Sequence, residues 1–222
     1  MDWIDVDRAA KETARRASFP LVVVVLCTGG CGAVGWITEA VAGGDKEIAV
    51  GAEYRGLDHK SVAVLVSASD TTIYRYPDAV SKVGRMVGAR LVTAVAGLSL
   101  SDPDQIVKFQ RQNPHWMVVP PSQLFDRLDV DRLVIVDLTE YSTHEPGNTH
   151  VFAGLIVGRV GIVEVESEDR NNFVYARVVS ARYPPDGGLG VLEKDAPTVE
   201  LGMLSRFASR VAGLFHDHTE IQ

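Results

Sequence analysis

The 222 residues predict an α/β domain: one mixed β-sheet covered by helices, with a long carboxy-terminal antiparallel hairpin and a closing amphipathic helix. Three observations predict it. Two continuous apolar runs, Ser61–Ser67 (SVAVLVS) and Arg132–Leu138 (RLVIVDL), read as strands buried on both faces. Between them lie segments with helical periodicity. After them come two long β-branched runs joined by a polar turn.

In chain order, 46–55 (KEIAVGAEYR) alternates apolar and polar residues and predicts a half-buried strand, followed by a turn at Gly56–His59. The Ser61–Ser67 strand comes next. Pro77-Asp78 opens a helix, because proline is tolerated in the first turn; Val80, Val83, Met86, Val87, Arg90, Leu91 and Val95 form its stripe and Gly97 stops it. Leu98–Leu100 is a short strand. Ser101-Asp102-Pro103 caps a second helix that ends at Asn113-Pro114, and Pro120-Pro121-Ser122 starts a third through Leu128. The Arg132–Leu138 strand follows. Val151–Glu166 and Asn172–Tyr183 form the hairpin around Ser167–Asn171. The first half of Val151–Glu166 is apolar on both sides, as in a helix-covered central strand. Gly154, Gly158 and Gly161 inside it mark bulges or close backbone contacts. Residues 184–197 read as a loop, and Thr198–Phe215 as the closing helix.

The amino-terminal segment carries the strongest functional signal. Arg8, Lys11, Arg15 and Arg16 precede the apolar stretch Phe19–Leu26, and small residues follow up to Cys31. A positive region, a short apolar core and small residues before a cleavage point describe a secretory signal. Thr28-Gly29-Gly30-Cys31 resembles a bacterial lipobox, which implies that Cys31 is the lipidated residue; Thr28 departs from the usual Leu or Ala. Two other readings stay open. No charge falls between Phe19 and Thr38, which is just long enough for an uncleaved membrane anchor, and VVVVL could be a core strand. The first two readings keep the positive charge inside and place the rest of the chain on the extracytoplasmic side. Gly32, where an aspartate would retain a lipoprotein in the inner membrane, favours the periplasmic face of an outer membrane.

The expected organisation is a signal peptide at 1–30, a linker at 31–45, a single α/β domain at 46–216 and a tail at 217–222. The domain order resembles the small α/β domain of TolB amino-terminal regions, curli-secretion lipoproteins and penicillin-binding-protein activator lipoproteins. The residues that carry this are SVAVLVS, the 77–96 helix, LVIVDL and the long strands behind a lipobox. In those families the domain binds envelope proteins and catalyses nothing. The segments GAEYRGLDHKSVAVLV, THEPGNTHVFAGLIVGRVGIVE and TVELGMLSRFASRVAGLFHDH look like uncharacterised lipoproteins of planctomycete-type bacteria, which implies an address and no reaction.

Candidate chemistry elsewhere is sparse. Cys27 and Cys31 are the only cysteines, so the body offers no thiolate nucleophile or ligand. His144, Glu145 and His150 in THEPGNTH, with Asp137 and Glu140 upstream, could hold a divalent ion or serve a metal-dependent enzyme. Their spacing fits no named metal motif, and Pro146-Gly147-Asn148 demands a tight turn whose shoulders they would be. His216-Asp217-His218 ends the closing helix, where cationic side chains bond the last carbonyls. Gly187–Gly190 lacks the lysine and helix start of a phosphate cradle, and no Gly-x-Ser-x-Gly elbow occurs. The net charge of −7 and the scattered lysines and arginines argue against nucleic acid as a partner. The reading that results is a membrane-tethered module that binds an envelope protein, with the lipid on Cys31 as its one covalent addition and no other cofactor.

Overall fold

The computed structural model describes residues 47–145, 147, 150–185 and 196–221. The lipobox residues Thr28, Gly29, Gly30 and Cys31 lie outside them. No helix among the described residues is long and apolar enough to cross a membrane.

The fold is mixed α/β, as predicted. Strand β1 (Glu47–Val50) is followed by β2 (Ser61–Ala68), helix α1 (Asp70–Arg75), α2 (Ala79–Ala94), β3 (Ser99–Leu100), α3 (Pro103–Gln112) and a 3-10 turn at Trp116–Val118. Then come α4 (Pro121–Leu128), β4 (Arg132–His144), β5 (Phe152–Glu164), β6 (Tyr175–Tyr183), α5 (Ala196–Gly213) and β7 (His218–Ile221). Five strands form one sheet in the order β3-β2-β4-β5-β6. β2 runs parallel to β3 and β4, while β4-β5 and β5-β6 are antiparallel.

Local chemistry explains where the helices start. Asp102 accepts from the Asp104 N–H at 2.9 Å, with Pro103 in the first turn of α3. Pro121 likewise stands in the first turn of α4, which has no side-chain cap. Beyond α2, Gly97 takes φ +64°, the left-handed conformation that favours glycine, and His59 packs where a Cβ would stand. Helix α1 is absent from the sequence reading. It is six residues long and too short for a periodic stripe, and the Ser69 hydroxyl, which accepts from the Thr72 N–H, holds its start.

Period-two alternation divides the sheet's side chains between two layers. Val62, Val64, Val66, Val134, Val136, Ile156, Val160 and Ile162 meet α2 and α5 on one face. Ala63, Leu65, Leu133 and Val163 meet α3, α4 and Trp116 on the other. The Ser61–Ser67 run is buried on two faces as predicted, whereas in Arg132–Leu138 the second face opens at half-buried Ile135 and exposed Asp137.

β5 differs from its reading. Beyond Gly161 no described helix covers the second face, so Leu155 and Val157 are half-buried and Arg159 is exposed. Its glycines do serve close approach. A Cβ on Gly154 would lie 2.9 Å from Met203 Cβ, and one on Gly158 would lie 3.2 Å from Phe207 Cζ, so α5 lies down on a strand stripped of side chains there.

Two further expectations are corrected. The strand read over 46–55 is only β1, and it stands outside the main sheet. The segment 217–222, read as a tail, contains β7, which pairs antiparallel with β1 from Glu47↔Ile221 to Val50↔His218. Strands of four residues carry little pattern, and their pairing depends on a partner at the far end of the chain. Asp217 secures the junction by accepting from the Ala52 N–H at 2.9 Å and from the Arg55 guanidinium at 2.5 and 2.6 Å.

Below the sheet, buried Arg132 binds the Gly56 and Asp131 carbonyls and pairs with Glu166 and Glu164. The Lys60 ammonium beside Glu166, helped by Arg132, pulls that carboxyl down to about 2 from its usual 4.5. A carboxylate depressed on folding contributes stability that is full above its unfolded value and is lost as pH falls through the folded one. Thermal stability is therefore expected to fall between pH 4.5 and about 2, and Glu166→Gln to flatten part of that slope in scans over the same range.

Candidate functional site

Sequence points to the β4–β5 connection, and the structure places His144, Glu145 and His150 there. β4 continues past Leu138 to His144 across a bulge between Leu138 and Glu140, so the start of THEPGNTH is strand rather than loop. The His144 ring packs on Phe152, its cross-strand partner, with centroids 4.7 Å apart. Its Nδ1 lies 3.0 Å from the Thr143 hydroxyl. The Glu145 N–H bonds to the Val151 carbonyl at 3.2 Å and closes the turn. Among the described residues no three His, Cys, Asp or Glu side chains come together to hold a metal ion. His216 and His218 act on the backbone: the His216 Nδ1 donates to the Ala212 carbonyl at 2.8 Å at the end of α5, and the His218 Nδ1 to the His216 carbonyl at 3.1 Å.

A second site, in which Asp137 joins Ser67 rather than the His144 cluster, lies at the carboxyl ends of the parallel strands, where open α/β sheets commonly hold ligands. Ser67 of β2 and Asp137 of β4 stand opposite one another in register, and the Ser67 hydroxyl donates to Asp137 Oδ1 at 2.7 Å. Next across the sheet, opposite Asp137, is Arg159 of β5, whose guanidinium sits 5.1 Å from the centre of the Phe173 ring. Trp116 is buried and anchors the 3-10 turn, which leaves Met117 59% exposed between two hollows.

Each hollow holds ≈ 370 Å³, and they share Ser67, Trp116 and Met117. One continues to Asp137, Arg159 and Phe173, the other to Ile73, Gln110 and Arg111. Gln110 is fixed by its bond to the Val66 carbonyl at 2.8 Å. Among the described residues no imidazole lines either hollow, and the Ser67 hydroxyl donates to the Asp137 carboxylate. Apolar walls with a few fixed polar groups suit binding of side chains or a small molecule. Met117→Asp, at an exposed position between the hollows, is expected to leave the melting temperature within about 2 °C while adding charge to the groove; calorimetry checks this.

Ser67 and Asp137 left a faint trace in the sequence, as polar residues ending two apolar strands. Nothing in the sequence shows that they face each other, because that depends on register between strands 70 residues apart.

No family model matches the chain, and no curated protein matches it in sequence. Solved structures resemble its fold at low identity. The PelC dodecamer from Paraburkholderia phytofirmans is 9% identical with a TM-score of 0.43, over 75% of this chain and 96% of that one. The lipoprotein GNA1162 from Neisseria meningitidis is 14% identical at 0.42, over 69% and 98%. The hypothetical protein CT253 from Chlamydia trachomatis is 14% identical at 0.41, over 69% and 96%.

Proposed function

We propose that this chain is a noncatalytic lipoprotein of the cell envelope, tethered through Cys31 on the extracytoplasmic side, whose α/β domain binds another envelope protein. The observation that carries the reading is the run from Arg15-Arg16 through the apolar Phe19–Leu26 to Thr28-Gly29-Gly30-Cys31, where small residues let a peptidase grip an extended chain and the thiol takes a diacylglycerol. A single lipid chain holds a protein only marginally, so stable attachment needs the several chains of a mature lipoprotein. The groove around Ser67 and Met117 supports a binding role, since it offers apolar walls and fixed polar groups.

Fractionation of cells expressing the wild type and Cys31→Ala tests the tether. The wild type is expected in the membrane fraction with lipid mass on Cys31, and the variant is expected to lose the lipid and to accumulate as unprocessed precursor. Unchanged processing that resists globomycin, with no lipid mass on Cys31, would overturn the reading. Photo-cross-linking from position 117 in intact cells tests the groove; failure to recover any reproducible protein adduct counts against it.

A further inference from the structure

Asp137 and Arg159 are directly opposed on β4 and β5, and the ladder fixes how close they stand. The Val165 N–H bonds to the Asp131 carbonyl, so every second pair from there is a bonded one, through Leu133↔Val163 and Ile135↔Gly161 to Asp137↔Arg159. The Cα atoms of such a pair lie about 5.5 Å apart, with both side chains on one face of the sheet. That face is the floor of the ≈ 370 Å³ hollow that also takes in Ile135, Gly161 and Phe173. Opposite charges at this spacing commonly pair, yet these two do not, because each is held by another neighbour. The Ser67 hydroxyl, on a residue only 7% exposed, fixes Asp137 Oδ1 at 2.7 Å and leaves Oδ2 toward the opening. The Arg159 guanidinium lies over the Phe173 ring, which approaches the strand where Gly161 has no Cβ to hold it off. A guanidinium held by its face keeps its in-plane N–H groups for an acceptor, and among the described residues no carboxylate pairs with Arg159.

We propose that this hollow binds a free α-amino acid with an apolar side chain, its ammonium on Asp137, its carboxylate on Arg159 and its side chain among Trp116, Val119, Leu124 and Ile135. The ligand is a small molecule, so the site needs neither the tether nor a protein partner.

Charge chooses the head group. A ligand with a single charge would meet its like on the adjoining strand, whereas an α-amino acid carries both signs on one carbon and answers both residues at once. Size and lining choose the rest. A hollow of ≈ 370 Å³ is at the small end of ligand sites, and its walls beyond the charged pair are mostly apolar. Both charged groups are oriented before a ligand arrives, which limits the ordering cost of binding. The neighbouring hollow also holds one acid and one base, Asp70 and Arg111. Those two come from α1 and α3, and among the described residues no hydrogen bond or ring fixes either side chain.

The test is equilibrium dialysis of the full chain in detergent against labelled L-leucine, with Asp137→Asn, Arg159→Gln and Arg111→Gln beside the wild type. Saturable binding is expected, displaced by unlabelled L-leucine and L-phenylalanine and far less by glycine, which has the same charges and no side chain. N-acetyl-L-leucine lacks the ammonium and L-leucinamide lacks the carboxylate. Each is expected to compete about tenfold or more weakly, the scale of one lost hydrogen bond to a charged group. Asn at 137 still accepts from Ser67, and Arg159 is exposed, so both variants are expected to keep the wild-type melting temperature. Each is expected to weaken L-leucine binding about tenfold, while Arg111→Gln leaves it unchanged. Absence of saturable binding of both L-leucine and L-phenylalanine overturns the proposal. N-acetyl-L-leucine competing as well as L-leucine overturns it too, since a carboxylate alone, as at the end of a protein chain, is then what the site reads. Loss of binding in Arg111→Gln but not in Arg159→Gln moves the ligand to the other hollow and refutes the assignment.

Discussion

Phe207→Ala is expected to lower the unfolding free energy by about 4 kcal/mol, the upper range for truncating a large core side chain. Phe207 is fully buried on the face of α5 that meets the sheet, and its ring tip occupies the space above Gly158. A cavity there has little chance to collapse, because β5 sits mid-sheet between β4 and β6 and cannot rise to fill it. Gly158→Val attacks the same contact from the other side. Its Cβ would stand 3.2 Å from Phe207 Cζ and 3.3 Å from the Asp137 carbonyl oxygen, and the latter is backbone that cannot swing away. Overpacking of this kind costs about 1–3 kcal/mol. Because the two changes share one space, the double variant is expected to lose less than the sum of the single losses. Chemical denaturation of the three variants checks this, and strict additivity would show that ring and strand are not in contact.

Arg132→Ala is expected to cost about 3 kcal/mol, the usual scale for breaking a buried ion pair by removing one partner. The Arg132 side chain is 6% exposed and joins two carboxylates, Glu164 and Glu166, to the Gly56 carbonyl. Its removal leaves Glu164, which also accepts from the Tyr54 hydroxyl, facing Glu166 without a cation between them. Arg132→Lys is expected to recover only part of the loss, since a single ammonium cannot span both carboxylates and the carbonyl. Lys60 continues to serve Glu166, at 2.6 Å, so that pair still contributes to the pH dependence of the variant near the acid limit. Urea midpoints at neutral pH measure both substitutions, and a midpoint unchanged by Arg132→Ala would refute the assignment.

The elements legible in the sequence are those whose pattern is long and local. The β2 run, the α2 stripe, the capped start of α3, the proline start of α4, and the paired lengths of β5 and β6 follow from apolar periodicity and turn chemistry within a few residues. What stayed hidden depends on distant partners. The extension of β4 to His144 needed β5 to pair with it, and the role of β7 needed β1. The groove is a sharper case. Ser67 and Asp137 are ordinary polar residues until register brings them to 2.7 Å, and Met117 is one exposed methionine until Trp116 fixes its turn. The His144 loop was conspicuous for the opposite reason: its residue types stand out in sequence, while the ring itself is occupied with Phe152 and Thr143.

The β1–β7 pair also bears on the order in which the domain is completed. The sheet and its helices draw on elements that follow one another along the chain, whereas β1 can pair only with the last described strand, after every other element has been made. Closing so long a loop costs entropy, and four residue pairs, the Asp217 clasp and the Glu53 and Tyr54 N–H bonds to the Leu214 carbonyl offset it. The pair should therefore form last and open first. Amide hydrogens of Ile48 to Val50 are then expected to exchange well before those of β2 or β4, so the fold's final step is a latch set after the core has formed.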